Sequence, residues 1–131
     1  MNDQTKLMIN KAYQALNNAY APYSNYKVGC CLVTKDDEVF AGTNVENSSY
    51  GLTICAEISA IAHMVAAGKR QIKSLVIIAG DNEICPPCGA CRQCIHEFST
   101  SETLVHLCNK DTILKTMTIN DLLPMAFNLK G

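Results

Sequence analysis

Five cysteines and one carboxylate carry the first chemical suggestion in this sequence. Cys55-Ala56-Glu57 stands well upstream of a crowded stretch, Cys85-Pro86-Pro87-Cys88-Gly89-Ala90-Cys91-Arg92-Gln93-Cys94. Both segments fall where a helix is expected to begin. Unpaired backbone N–H groups at a helix start stabilise thiolates, and the thiolate is the form that binds zinc. Cys55, Cys88 and Cys91 can therefore serve one zinc ion between them. Three protein ligands leave a fourth tetrahedral position for water, which marks a catalytic rather than a closed structural site. Glu57, two residues after a ligand, is placed to take a proton from that water and pass it to a substrate nitrogen.

Taken alone, Cys88 and Cys91 read equally well as a redox pair or as half of a structural zinc site. Cys85, Cys88, Cys91 and Cys94 also approach the spacing of bacterial iron–sulfur ligands, but the last gap is one residue short and no proline follows. Eight cysteines in 131 residues permit a disulfide framework only in an oxidising compartment, and nothing here directs export. Cys94 follows Cys91 by one helical turn and is a fourth thiol on the same face. Cys30, Cys31, Cys85, Cys94 and Cys108 are read as small apolar fillers. His63 and His96 are read as packing or surface residues rather than ligands.

Several elements must position these groups. Residues 4–20 carry apolar positions at helical spacing, ending before Pro22. Lys27 to Thr34 and Glu38 to Val45 are β-prone runs joined across Lys35-Asp36-Asp37. Cys55 to Ala67 reads as a helix stopped by Gly68. Ile72 to Ala79 is apolar on both faces, as a central strand covered by helices must be. Pro87 suits a helix first turn, so Cys88 to Phe98 is expected to be helical, followed by a strand over Leu104 to Cys108. Ile113 to Met117 and Ile119 to Leu123 give a last strand and a short helix. The alternation implies an α/β domain, with helices on both sheet faces and a single domain over 1–131.

Composition narrows the function classes. Apolar residues make up 48% and charged residues 18%, which excludes intrinsic disorder. Eleven Lys and Arg against twelve Asp and Glu leave a net charge of −1, too little positive charge for a nucleic-acid or anionic-membrane surface. The run Leu75-Val76-Ile77-Ile78-Ala79 is too short to span a bilayer. The polar start Met1-Asn2-Asp3-Gln4 lacks an export-signal pattern, so a soluble cytoplasmic protein is expected.

A Cys or His ligand, a nearby Glu that is not a ligand, and then P-C-x-x-C form the known signature of zinc deaminases acting on bases. Over nearly its whole length the sequence resembles the small homotetrameric cytidine deaminases. The matching segments are Ala21-Pro22-Tyr23-Ser24-Asn25-Tyr26-Lys27-Val28-Gly29, Asn44-Val45-Glu46-Asn47-Ser48-Ser49-Tyr50-Gly51-Leu52-Thr53, Cys55-Ala56-Glu57, Pro87-Cys88-Gly89-Ala90-Cys91-Arg92-Gln93 and Leu122-Leu123-Pro124-Met125-Ala126-Phe127. The resemblance implies a three-layer α/β/α fold with a mixed five-stranded sheet and one catalytic zinc per subunit. It also implies hydrolytic deamination of cytidine and deoxycytidine.

By that resemblance, Cys55, Cys88 and Cys91 are the zinc ligands and Glu57 the proton shuttle. Asn44 and Glu46 hold the ribose 3′-hydroxyl, although the same residues otherwise read as an end-of-strand turn. Tyr26 stands where the family usually has a Phe lining the base pocket. The Ala56 N–H meets the pyrimidine O2. Phe127, otherwise an ordinary core residue, reaches a neighbouring subunit's site, so the homotetramer shares its sites between subunits. Retention of Asn44-Val45-Glu46-Asn47 favours an unmodified ribose or deoxyribose over the sugar of an aminonucleoside antibiotic. One departure is sharp: members usually follow Cys-Ala-Glu with an Arg that bonds to the ligand thiolates, and here the residue is Ile58.

Overall fold

The computed structural model describes residues 1–80 and 82–129. Helix α1, Asp3–Asn17, starts where the Asn2 side chain accepts a hydrogen bond from the Thr5 amide at 2.8 Å. It buries Met8, Ile9, Ala12 and Leu16, one stripe at helical spacing. Strands β1 (Val28–Thr34) and β2 (Val39–Thr43) form an antiparallel hairpin whose turn places Asp37 in the left-handed region, at φ 66°. Helix α2 spans Ala56–Ala66, and Gly68 at φ +89° turns the chain away from it. Strand β3 (Ile72–Ala79), helix α3 (Gly89–Glu97), strand β4 (Ser99–Cys108), strand β5 (Ile113–Thr118) and helix α4 (Ile119–Leu122) follow among the described residues.

The five strands lie in the order β2-β1-β3-β4-β5. Only β3 and β4 run parallel, so the sheet is mixed. Alternation along the strands divides the core into two layers. Cys31, Val33, Val76, Ile78 and Cys108 face α1, whereas Cys30, Leu32, Leu75, Ile77, Val105 and Leu107 face α2 and α4, together with Ile95 of α3. This is the α/β fold expected, in three layers. Cys30, Cys31 and Cys108 fill the interior, and burial pushes the Cys31 and Cys108 thiols up to about 12.

Most element ends fall within one or two residues of the sequence expectation, and two differ by more, each for a visible reason. The first helix ends at Asn17 rather than near residue 20 because Tyr20 leaves it to pair with the segment after β2. The Tyr20 amide donates to the Asn44 carbonyl and the Glu46 amide to the Tyr20 carbonyl. Strand β4 begins at Ser99, before the apolar run at Leu104. Its polar start is held because the Thr103 hydroxyl donates to the Ile72 carbonyl and accepts from the Thr100 amide.

Candidate active site

Topology brings two helix starts together. Helix α2 leads into β3, and α3 follows it, so both begin beyond the C-terminal end of that strand, and they pack against one another. Cys55 is the N-cap of α2 and Cys88 the N-cap of α3, both with extended backbone, and neither side chain caps its own helix. The sulfurs are thus left for other partners. Cys91, 1% exposed, lies in the first turn of α3.

The Sγ atoms of Cys55 and Cys91 are in contact across the two helices. Their α-carbons stand 7.4 Å apart, wider than the roughly 4.4–6.8 Å that a disulfide spans. The pair is better described as two arms of one ligand set. A Glu57 carboxylate oxygen completes the group: it and the two sulfurs all lie within 4.8 Å of one another. Two soft thiolates at helix N-termini, with a carboxylate beside them, match the donor preferences of zinc. Cys88 is exposed and stands outside that radius, and its charge pushes up the thiol of Cys94, whose own burial is the larger cause.

Glu57 is 5% exposed, and this burial raises its carboxyl pKa. A carboxyl held toward its protonated form beside a metal set is suited to carrying a proton rather than a permanent charge. Ala56, fully buried, is the first residue of α2 and presents one of the helix's leading N–H groups.

Asn44 and Glu46 both grip the segment between α1 and β1. The Asn44 side chain donates to the Tyr26 carbonyl at 2.8 Å and accepts from the Val28 amide at 3.0 Å. The turn-holding role read for it from sequence is therefore present, and its amide still has one N–H and one lone pair to offer. Glu46 accepts from the amides of Tyr23 at 3.0 Å and Ser24 at 3.2 Å, and from the Ser24 hydroxyl. These bonds hold its carboxyl below the usual range, the hydroxyl contributing most. A cleft of about 380 Å³ opens there, lined by Tyr23, Ser24, Glu46, Asn47, Ser48 and Tyr50 among others. Tyr26 is partly exposed. Phe127 is 70% exposed, on a tail pinned where Gln93 donates to its carbonyl at 3.0 Å.

Arg92 and Ser24 are polar residues to which sequence reasoning gave no firm part. The Arg92 guanidinium donates to the Pro87 carbonyl at 2.8 Å and the Leu122 carbonyl at 2.7 Å, bracing the Cys88 loop against α4. Ile58, at the position of the family's usual Arg, lines a small apolar groove with Ile61, Cys94 and Phe98. His63 packs edge-on against Phe40 at 5.1 Å. A larger cavity of about 530 Å³ lies toward the other end of β3, lined by Asn2, Lys35, Gln71, Lys73 and His106 among others. It holds no residue expected in the site, and no thiol.

Residues 1–107 match the family described as the cytidine and deoxycytidylate deaminase zinc-binding region. A cytidine deaminase of Halalkalibacterium halodurans is 41% identical over 122 residues, covering 93% of this chain and 92% of its own. Among solved structures, the cytidine deaminase of Burkholderia pseudomallei aligns with a TM-score of 0.87 at 42% identity, over 97% of this chain and 100% of that one. The cytidine deaminase of Mycobacterium tuberculosis gives a TM-score of 0.84 at 36% identity, over 98% of this chain and 100% of that one.

Proposed function

Because the chain belongs to the cytidine and deoxycytidylate deaminase family, we propose that it hydrolyses cytidine and deoxycytidine to uridine and deoxyuridine, releasing ammonia, in pyrimidine salvage. The observation that carries this reading is the buried Glu57 carboxylate gathered with the Cys55 and Cys91 sulfurs. One zinc ion would be held in each subunit by those two thiolates, with Cys88, which lies outside that group in the structure, as the third ligand that the family resemblance assigns. When bound, zinc supplies the Lewis acidity that makes water a competent nucleophile near neutral pH.

This chain's own residues do the rest. Glu57 takes one proton from water and delivers it to N3 of the pyrimidine as oxygen adds at C4, then takes the second proton from the added hydroxyl and delivers it to the departing amine. The C4–N bond breaks and ammonia leaves. The Ala56 N–H donates to O2, Tyr26 lines the base, and Asn44 and Glu46 hold the sugar. A hydrogen-bonding pocket of this kind rejects analogues lacking the matching group, because its buried polar atoms would be left unpaired.

The assembly is a homotetramer in a cytoplasmic setting, with Phe127 of one copy completing a neighbour's site. Exposed apolar side chains support it: Tyr50 is 90% exposed, Leu52 65% and Met125 102%, besides Phe127. Among the described residues no helix is long and apolar enough to cross a membrane. Zinc-loaded protein should convert cytidine with the accompanying change in its ultraviolet spectrum. An unchanged spectrum from protein shown to retain zinc overturns the reading.

A further inference from the structure

Glu46 faces its cleft already committed. Three donors converge on one carboxylate: the Tyr23 and Ser24 amides on Oε1 and the Ser24 hydroxyl on Oε2. A carboxylate offers about four lone-pair positions, so one remains, on Oε2. The Ser24 hydroxyl is itself fixed, because its oxygen accepts from the Tyr26 amide at 3.0 Å. Asn25 makes this fold-back possible by adopting the left-handed region at φ 58°, which Asn tolerates better than most residues. A second tie holds the same loop, since the Tyr23 and Ser48 hydroxyls share a hydrogen bond of 2.5 Å.

One continuous chain of bonds results. The Asn44 side chain donates to the Tyr26 carbonyl, the Tyr26 amide donates to Ser24 Oγ, and Ser24 Oγ donates to Glu46 Oε2. Ser24 therefore links the two side chains assigned to the sugar through the backbone of Tyr26, the residue assigned to the base, whose N–H and C=O are both engaged. Without its hydroxyl, the partly exposed Glu46 regains rotamer freedom, and Oε2 has two open positions rather than one.

We propose that Ser24 is a positioning residue of the sugar subsite, fixing Glu46 so that its one open acceptor position takes a single sugar hydroxyl. This rests on the assignment of Asn44 and Glu46 to the sugar. The substrate class it selects is a nucleoside with a free 3′-hydroxyl, a donor, in place of a 3′-ester that can only accept.

The test compares zinc-loaded full-length wild type, Ser24→Ala, Ser24→Thr and Glu46→Gln on cytidine and on 3′-deoxycytidine. A hydrogen bond to a charged group is worth roughly tenfold or more, so Ser24→Ala should raise KM for cytidine about tenfold, with kcat and the 3′-deoxycytidine constants within about twofold of wild type. Ser24→Thr, which keeps the hydroxyl, should restore the KM. Equal losses on both substrates, or no loss on cytidine, overturn the proposal, since Ser24 would then hold the loop alone or nothing. If Glu46→Gln discriminates between the two substrates as well as wild type does, the sugar assignment falls and this inference with it. Loss of discrimination in Glu46→Gln but not in Ser24→Ala overturns only the role of Ser24.

Discussion

Gly42 of β2 lies directly beneath Ala60 of α2: a methyl group on Gly42 would stand 2.4 Å from the Ala60 amide nitrogen. The helix that begins with Cys55 and Glu57 is seated backbone to backbone on the sheet. Gly29 of β1 performs the same service on the opposite face, where a methyl would meet the Ala12 carbonyl oxygen of α1 at 1.9 Å. Each helical layer is thus registered by one missing side chain.

Gly42→Ala should consequently destabilise the protein by about 1–3 kcal/mol and also displace the metal set, because α2 must lift. Gly29→Ala should lower Tm while leaving kcat of the folded enzyme near wild type, since α1 carries no proposed site residue. Gly51→Ala, with nothing within 4 Å of the added carbon inside the subunit, tests the same exchange away from both helix contacts. Thermal melts with zinc content and kcat on the same samples check all three. Equal catalytic damage from Gly29→Ala and Gly42→Ala would contradict this division of labour.

Glu57→Ala should keep zinc and fold but lose turnover by about 100- to 10,000-fold, the usual contribution of a general acid–base group. Metal analysis on the same preparation separates a lost shuttle from a lost ligand. Turnover within tenfold of wild type, or metal lost together with activity, would remove Glu57 from the role.

Alkylation should sort the thiols. Cys30, Cys31 and Cys108 are 0%, 0% and 1% exposed, and the latter two have thiols pushed up to about 12, so they should resist iodoacetamide until the protein unfolds. In zinc-free protein the exposed Cys88 should react first, and added zinc should protect it. Peptide mass mapping with and without the metal reads this directly. Cys88 labelling at the same rate in both states would exclude it from the ligand set.

Phe127→Ala should raise KM while leaving zinc content unchanged. Aromatic stacking on a base is worth about 1–3 kcal/mol, so a change of several-fold or more is expected. If Phe127 serves a neighbouring site, mixing Phe127→Ala subunits with Glu57→Ala subunits should generate some intact sites and recover activity. No recovery after verified exchange would confine Phe127 to its own subunit.

Much of this arrangement was legible in the residues, and the rest had a physical reason to be hidden. Ile72 to Ala79 reads as a covered central strand because both of its faces are apolar, and β3 matches it to the residue. Ser99 to Thr103 carries no such pattern; it joins β4 through a Thr103 hydroxyl whose partner, the Ile72 carbonyl, is distant in sequence. Cys55, Glu57 and Cys91 could be nominated from helix starts and spacing, and the structure gathers them. Asn44 and Glu46 could be nominated only by resemblance, because an amide and a carboxylate after a strand are common turn residues. Ser24 had no signal of its own beyond lying in the Ala21 to Gly29 segment; what it does depends on the left-handed turn at Asn25 and on where Glu46 falls. Arg92 carried no signal beyond lying next to Cys91, and its bonds to the Pro87 and Leu122 carbonyls, distant or loop partners, make it a brace.

The position of Cys55 before β3 and of Cys91 after it also governs the order of assembly. The two are 36 residues apart, and the segment between them contains α2, the central strand and the passage into α3. Hairpin β1–β2 can close on local contacts, but the thiols can meet only once the start of α3 has come back beside α2, a non-local step that is intrinsically slower. Ion capture is accordingly expected late on the folding route, and a nascent chain arrested at the end of β3 holds Cys55 as its only proposed ligand thiol. Zinc uptake by the refolding protein therefore works as a clock for that return, trailing the signals of the hairpin.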